Sequence, residues 1–293
     1  MEHVTFKARD GYPLVGQLTV PEETPKAGVL VSAGTGYKAR YYQPFAKALA
    51  AAGLMAFTYD CRGIGKSAPE DLSQLSMRYS DWGRWDMPAA LDTLAGHAQG
   101  LPLLHVGHSV GGHFVGFWDN HEKVTAHAFV CVGSGYLGDR PWWKNPAELA
   151  FWHVIGPRSI NKHGYVQSGR YWKGASLPRG VFEDWKTWCH RPGYYRRDLE
   201  GPLKPHHFES VTTPITSFIY TDDLIATPQS GDKMLAFYPN APQEMRVRRP
   251  SAFGIPAIGH GGPFSDRLAP AREEIITWCK DHATTPAIGF VGK

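Results

Sequence analysis

Short, continuous apolar runs recur along the chain and alternate with stretches in which apolar residues fall three or four positions apart. The runs are typical of strands buried on both faces of a sheet, and the spaced pattern is typical of helices that cover it. Before the first run, residues 4–8 and 14–20 predict a hairpin with an Asp-Gly turn. Near the end of the chain, residues 244–248 predict a late edge strand. Buried strands are predicted at 27–33, 55–59, 101–106, 126–132 and 215–220.

Helical patterns fill the gaps between these strands. They occur around Phe45 and Leu49 and over 86–95, and a closing helix is predicted over 265–279 with Ser265 as its N-cap. Strands that alternate with helices predict an α/β fold, in which a mainly parallel sheet is flanked by helices on both faces. The closing helix would face this sheet with Leu268, Ala271, Ile275 and Trp278.

One interval interrupts the alternation, because residues 136–214 separate two predicted sheet strands. This interval is far longer than an ordinary crossover connection, and its glycines and prolines punctuate short helices. We therefore predict a core formed by 1–135 and 215–293, with 136–214 inserted as an aromatic-rich helical cap, here called the cap segment. It contains six of the ten tryptophans: Trp142, Trp143, Trp152, Trp172, Trp185 and Trp188.

Composition narrows the class of protein. Hydrophobic residues make up 42 % of the 293 residues and charged residues 20 %, as in globular proteins with a substantial core. No apolar stretch reaches the roughly 18 residues of a membrane span. The net charge of +4 is spread along the chain without a basic run, which argues against a nucleic-acid partner. The N-terminal residues lack a signal-peptide pattern and the four cysteines form no CxxC pair, so a cytoplasmic location is expected and a homodimer is compatible with the sequence.

The pentapeptide 107–111, Gly-His-Ser-Val-Gly, is a G-x-S-x-G motif. It directly follows the predicted strand 101–106 and opens a helix, which is the strand–turn–helix setting of a nucleophile elbow. Glycines are needed there because the sharp turn that exposes a serine hydroxyl brings backbone close to backbone. Ser109 is therefore the candidate nucleophile; the alternative is a tight turn in which Ser109 only caps the helix.

Three further segments, 60–67, 221–223 and 258–260, join the elbow in a recognisable set. They read Asp-Cys-Arg-Gly-Ile-Gly-Lys-Ser, Thr-Asp-Asp and Ile-Gly-His. With these motifs the chain resembles the α/β-hydrolase superfamily along nearly its whole length, close to bacterial hydrolases that are similar to serine aminopeptidases and esterases. The resemblance implies the α/β-hydrolase fold and a Ser-Asp-His triad, but it implies no particular substrate.

The acid and the base follow from chain order, which in this fold is serine, acid, histidine. The acid is expected just after the strand 215–220, where Asp223 is the first candidate and Asp222 the alternative. Among fourteen histidines, His260 comes last but one, in a glycine-rich loop after the final predicted strand. His260 is therefore the candidate general base.

A tetrahedral oxyanion needs preorganised donors, usually two backbone N–H groups. One is expected from Val110, the residue after the nucleophile. The other belongs to the loop 32–37, here called the oxyanion loop, in which the family alignment points to Thr35 with Gly34 as the alternative. Many relatives carry His-Gly in this loop, whereas this chain does not.

Candidate pocket residues surround this machinery. Tyr37 ends the oxyanion loop, and His108 lies inside the elbow. His105, His108 and His113 are close in sequence, but a strand, a turn and a helix should point them apart, so no metal site is predicted. The other candidate pocket residues are the cap tryptophans Trp143, Trp152, Trp185 and Trp188.

These patterns predict a serine hydrolase that cleaves an ester, thioester or amide of a small apolar or aromatic acyl substrate without a cofactor. An esterase or thioesterase is favoured over a peptidase. An acyltransferase, a lyase or a cofactor-free oxygenase could use the same triad. A non-catalytic ligand-binding module could use the same fold, since fold alone does not fix function.

Overall fold

The computed structural model describes residues 1–141, 143 and 146–284. Trp142, one of the predicted cap tryptophans, lies outside these described residues. Eight strands form one sheet in the order β1-β2-β4-β3-β5-β6-β9-β10, and β7 and β8 form a separate ribbon. The strands are β1 (Glu2–Lys7), β2 (Pro13–Thr19), β3 (Gly28–Ser32), β4 (Met55–Asp60), β5 (Leu103–His108), β6 (Val124–Val130), β7 (Tyr165–Val166), β8 (Leu177–Pro178), β9 (Ile215–Tyr220) and β10 (Gln243–Arg248).

The sheet is mainly parallel, as predicted. Strands β3, β4, β5, β6, β9 and β10 pair in parallel, whereas β2 pairs antiparallel with both β1 and β4. Every residue of β3 and β5 is buried, as expected for strands in the middle of a sheet that is covered on both faces. The helices are α1 (Gln43–Ala51), α2 (Met87–Ala98), α3 (Val110–His113), α4 (Pro146–Ala150), α5 (Gly156–His163), α6 (Arg179–Cys189), α7 (Pro228–Leu235) and α8 (Ala269–Ala283).

Two apolar clusters cover the two faces of the sheet. In β3, Leu30 faces one cluster while its neighbours Val29 and Val31 face the other, as the two-residue period of a strand requires. The cluster around Leu30 continues into the cap segment, where it includes Trp152 and Trp188. The cap segment therefore packs on the core as an extension of one core layer.

Ion pairing also joins the cap segment to the core. The carboxylate of Asp184 in α6 accepts hydrogen bonds from Arg78 Nε at 2.8 Å and from Arg78 Nη2 at 2.7 Å. The same carboxylate accepts the backbone N–H of Tyr79 at 3.0 Å. Helix α6 is thus held at a fixed position against the 78–79 backbone of the core.

Two details of the prediction were wrong. Helix α8 begins at Ala269, after a 3₁₀ turn, and the Ser265 side chain makes no capping hydrogen bond. The cap segment also contains the ribbon of β7 and β8 among its helices, because strands of two residues are too short to leave an alternating pattern. Among the described residues, no helix combines the length and the hydropathy needed to cross a bilayer.

Candidate active site

The elbow places Ser109 between β5 and α3 in a strained backbone conformation, with φ 50° and ψ −120°. The turn is possible because two neighbours lack a side chain. A Cβ at Gly107 would lie 2.7 Å from the Gly112 nitrogen, and one at Gly111 would lie 2.3 Å from the Ser32 carbonyl oxygen. Both glycines are therefore required for the close approach of backbone to backbone.

The structure brings Ser109, His260 and Asp223 together in one hydrogen-bonded line. His260 Nε2 lies 3.1 Å from Ser109 Oγ, and His260 Nδ1 lies 2.9 Å from Asp223 Oδ2. The second oxygen of Asp223 accepts the backbone N–H groups of Ile225 and Ala226 at 2.8 and 3.0 Å. Burial opposes the charge of Asp223, but His260 and these N–H groups outweigh it and lower the pKa of the carboxyl.

The alternative acid, Asp222, points elsewhere. Its Oδ2 accepts the backbone N–H groups of Ile258 and Gly259 at 2.7 and 2.9 Å. Asp222 therefore anchors the loop that carries His260, while the adjacent Asp223 contacts the imidazole itself. The two neighbouring carboxylates divide these tasks because successive side chains leave the end of β9 in different directions.

Of the two candidate N–H donors in the oxyanion loop, only that of Thr35 lacks an acceptor among the described residues. The N–H of Gly34 donates to the Tyr42 hydroxyl at 2.9 Å, so this donor is already used. The N–H of Thr35 donates no hydrogen bond to any described residue, and Thr35 lines the cavity beside Ser109. Val110 is the first residue of α3, where a backbone N–H has no acceptor within the helix. The Thr35 hydroxyl is hydrogen-bonded to the Tyr79 hydroxyl, which braces the loop from the side.

His108 does not line the cavity, contrary to the prediction. It is fully buried behind His260, with its Nε2 2.7 Å from the His260 carbonyl oxygen and its Nδ1 2.6 Å from the Tyr42 hydroxyl. Burial lowers the pKa of His108 to about 3, so the ring is neutral. Because a carbonyl only accepts, Nε2 carries the proton and Nδ1 accepts from Tyr42. This hydrogen-bonded chain runs from Gly34 through Tyr42 and His108 to His260.

A cavity of about 910 Å³ opens above Ser109. Ser109, His260 and Thr35 line its core side together with Tyr37, as predicted for Tyr37. The cap segment supplies the opposite wall, which is rich in aromatic side chains. That wall includes Phe151, Trp152, Tyr171, Trp172 and Trp185.

The four cap tryptophans that were predicted to line the pocket therefore differ in position. Trp152 and Trp185 line the cavity, whereas Trp188 and Trp143 do not. Trp188 is 2 % exposed and stacks on Tyr79, and its Nε1 donates to an aspartate at 2.9 Å. Trp143 is 64 % exposed. Trp172 was missed because it lies in a loop without helical spacing.

A buried ion pair inside the cavity was also missed by the sequence analysis. Arg140 Nη1 donates to Glu148 Oε2 at 2.6 Å, and Trp152 Nε1 donates to Glu148 Oε1 at 3.1 Å. Arg140 and Glu148 both line the cavity, so its wall is aromatic but not uniformly apolar. The two charges lie eight positions apart with two prolines between them, a spacing that predicts no contact.

The histidines near the elbow diverge. His105 Nδ1 lies 3.0 Å from His127 Nδ1 on the neighbouring strand, while His113 packs edge-on against Tyr194. Within the parts of the chain that the structure describes, no group of three or more His, Cys, Asp or Glu side chains could hold a metal ion.

Known proteins share this architecture. The family described as serine aminopeptidase, S33 (Hydrolase_4) matches residues 23–163. Human monoglyceride lipase is 33 % identical over 105 residues, which are 35 % of this chain and 33 % of the lipase. That match therefore spans about a third of the length of the lipase.

Solved structures match over nearly the whole chain. A soluble variant of monoglyceride lipase from Saccharomyces cerevisiae, in complex with a substrate analogue, has a TM-score of 0.67 at 16 % identity. The match covers 97 % of this chain and 96 % of that one. Est1E from Butyrivibrio proteoclasticus with ferulic acid bound has a TM-score of 0.61 at 15 % identity, over 94 % and 98 % of the two chains. The chain therefore has the fold of the α/β hydrolases.

Proposed function

We propose that the protein is a serine hydrolase that cleaves esters through an acyl-enzyme. The observation that carries the proposal is the line of hydrogen bonds from Ser109 through His260 to Asp223. His260 takes the proton of Ser109 as Oγ attacks the ester carbonyl, and then gives it to the departing alcohol. Asp223 is ionised at neutral pH, holds the Nδ1–H tautomer and stabilises the imidazolium. Water repeats the sequence on the acyl-enzyme and releases the acid.

The N–H groups of Val110 and Thr35 receive the oxyanion in this proposal. Both lie at the ends of adjacent parallel strands, since Ser32 of β3 pairs with Gly107 of β5. Donors fixed in the backbone need no rearrangement as charge develops on the carbonyl oxygen. Two such donors beside the nucleophile are what acyl transfer chemistry requires, whereas simple ligand binding does not require them.

The aromatic wall supports a small substrate with an apolar or aromatic body, because burying an unpaired charge among rings is costly. The two solved neighbours are complexes, the lipase with a substrate analogue and Est1E with ferulic acid, an aromatic acid. Both are consistent with an ester substrate here. In this proposal residues 136–214 act as the cap that covers the acyl group and excludes water.

A fluorophosphonate tests the nucleophile directly, because it reacts with activated serines. We expect one covalent adduct by intact mass, mapped to Ser109, absent in Ser109→Ala and slowed at least about 100-fold in His260→Ala. Ser251→Ala, at an exposed serine outside the cavity, is the matched control and should label like the wild type.

An adduct that persists in folded Ser109→Ala would refute the assignment. Folded wild-type protein that neither reacts with the phosphonate nor hydrolyses small aryl esters would favour a ligand-binding module instead. Circular dichroism of each variant separates loss of chemistry from loss of folding.

A further inference from the structure

Three cations lie on one side of the cavity. Lys38 and Arg40 follow the oxyanion loop in sequence, and Lys173 lies in the loop between β7 and β8. The two loops are joined, because the Ala175 N–H donates to the Gly36 carbonyl oxygen at 2.7 Å. Lys38, Arg40 and Lys173 all line the cavity, and we call them the basic rim.

The basic rim is a surplus of positive charge. Among the ion pairs of the described residues, none includes Lys38, Arg40 or Lys173. The fourth cation of the cavity, Arg140, is matched by Glu148. Glu148 is also the only carboxylate among the described residues that line this cavity. The rim charges therefore face the cavity without a counter-charge from the protein.

Carboxylates near Lys38 are engaged on its other side. Asp60 accepts the backbone N–H groups of Ala39 at 2.7 Å and Lys66 at 2.8 Å, and it does not line the cavity. Lys38 also lines a second depression of about 240 Å³, together with Glu70 and Asp71. These acids balance part of the local field but leave the cavity side of the rim positive.

We infer that the substrate carries a carboxylate or a similar anionic group on the part that lies at the basic rim. The inference rests on the proposed function and adds the charge of the substrate to it. The aromatic interior takes the uncharged body of the ester, whereas solvated cations at the mouth attract an anion without the cost of burying it. Such attraction weakens as salt is raised.

Three matched esters test the inference. Benzyl butyrate is neutral, 4-carboxybenzyl butyrate places a carboxylate on the alcohol side, and benzyl hydrogen glutarate places one on the acid side. At low ionic strength we expect kcat/KM for one charged ester to exceed that of benzyl butyrate about tenfold, and the ratio to fall as salt is added. Which charged ester is preferred tells which half of the substrate reaches the rim.

The triple variant Lys38→Gln/Arg40→Gln/Lys173→Gln should lose this preference, because it removes the three rim charges. A wild type without any preference for either charged ester would overturn the inference. A rim variant that keeps the preference would overturn it as well.

The matched control Lys47→Gln/Lys233→Gln/Lys280→Gln removes the same net charge from exposed positions outside the cavity. It should keep the preference. A preference lost equally in both triple variants would trace to net charge and would also contradict a role for the rim.

Binding of the three esters to Ser109→Ala, measured by tryptophan fluorescence, separates this inference from the proposed function. Hydrolysis of the neutral ester without any charge preference would leave the hydrolase proposal standing and remove the basic rim from substrate selection. Tighter binding of a charged ester by Ser109→Ala, with no ester hydrolysed by the wild type, would retain the anion preference and remove the hydrolase.

Discussion

The two walls of the cavity are held in different ways. On the core wall, hydrogen bonds at the ends of strands fix Ser109, His260 and Asp223, and the heavy-atom distances are 2.9–3.1 Å. On the cap wall, one hydrogen-bonded pair, Arg140 and Glu148, lies among rings that pack on rings, as Trp152 and Trp185 do with their centroids 4.7 Å apart. Hydrogen bonds are directional and fix individual atoms, whereas apolar packing is set by shape and volume. The core wall is therefore suited to chemistry, and the cap wall to selecting what reaches it.

The largest effect is expected on the core wall, where Asp223 and Asp222 have different hydrogen-bond partners. Asp223→Asn should lower kcat by about 10³–10⁴-fold, because the amide cannot hold the imidazole in its productive tautomer or stabilise its cation. Asp222→Asn should cost only about tenfold, since it weakens two hydrogen bonds to the His260 loop. Steady-state kinetics on one aryl ester measures both variants.

Equal losses in the two variants would contradict the division of tasks between the neighbouring carboxylates. Thermal unfolding of both proteins provides the control, because a common loss of stability would lower activity without any difference in mechanism.

A second test concerns the stability of the core at low pH, because two neutral histidines are buried there. Burial holds the pKa of His127 at about 3 and that of His105 well below the ordinary value near 6.5. The unfolded chain binds these protons below pH 6.5 while the folded chain does not, so stability is full above pH 6.5 and falls as pH drops toward 3. Each histidine can remove up to about 1.4 kcal/mol of unfolding free energy per pH unit in that window.

The double variant His105→Leu/His127→Leu should therefore lose less stability between pH 7 and pH 5 than the wild type, in urea unfolding at both pH values. His97→Gln changes a histidine near the end of α2 and is the matched control. An unchanged pH dependence in the double variant would show that these two rings do not titrate on unfolding as described.

The smallest expected effect lies on the cap wall. Trp185→Leu should raise KM for an aromatic ester about five- to tenfold and leave kcat within about twofold, because the ring contacts bound substrate alike before and during reaction. Trp143→Leu, at a largely exposed ring outside the cavity, should leave both constants unchanged. A fall in kcat for Trp185→Leu would mean that the cap wall positions the reacting atoms and would erase the contrast with the core.

The sequence predicts the core wall of the cavity better than the cap wall. The buried strands, the elbow and His260 were predictable because each depends on a local pattern or on chain order. His108 was assigned to the wrong side of the site because its burial depends on Tyr42 and on the His260 carbonyl, both distant in sequence. Trp172 and the Arg140–Glu148 pair gave no signal, since only the folding of the cap segment brings them to the cavity.

The chain of hydrogen bonds from Gly34 through Tyr42 and His108 to His260 also bears on recombination. Its two side chains, Tyr42 and His108, come from separate stretches of sequence, so they are inherited together only when no crossover falls between them. Consider a chimera that takes residues 1–42 from this protein and the elbow from a relative without a histidine at position 108. In that chimera the Tyr42 hydroxyl has lost the ring nitrogen that accepts its hydrogen bond. Gly34 and His260 contribute only backbone groups, so breakpoints before residue 42 or after residue 108 keep the Tyr42–His108 pair together, and shuffled libraries of this fold should be richest in active members outside that interval.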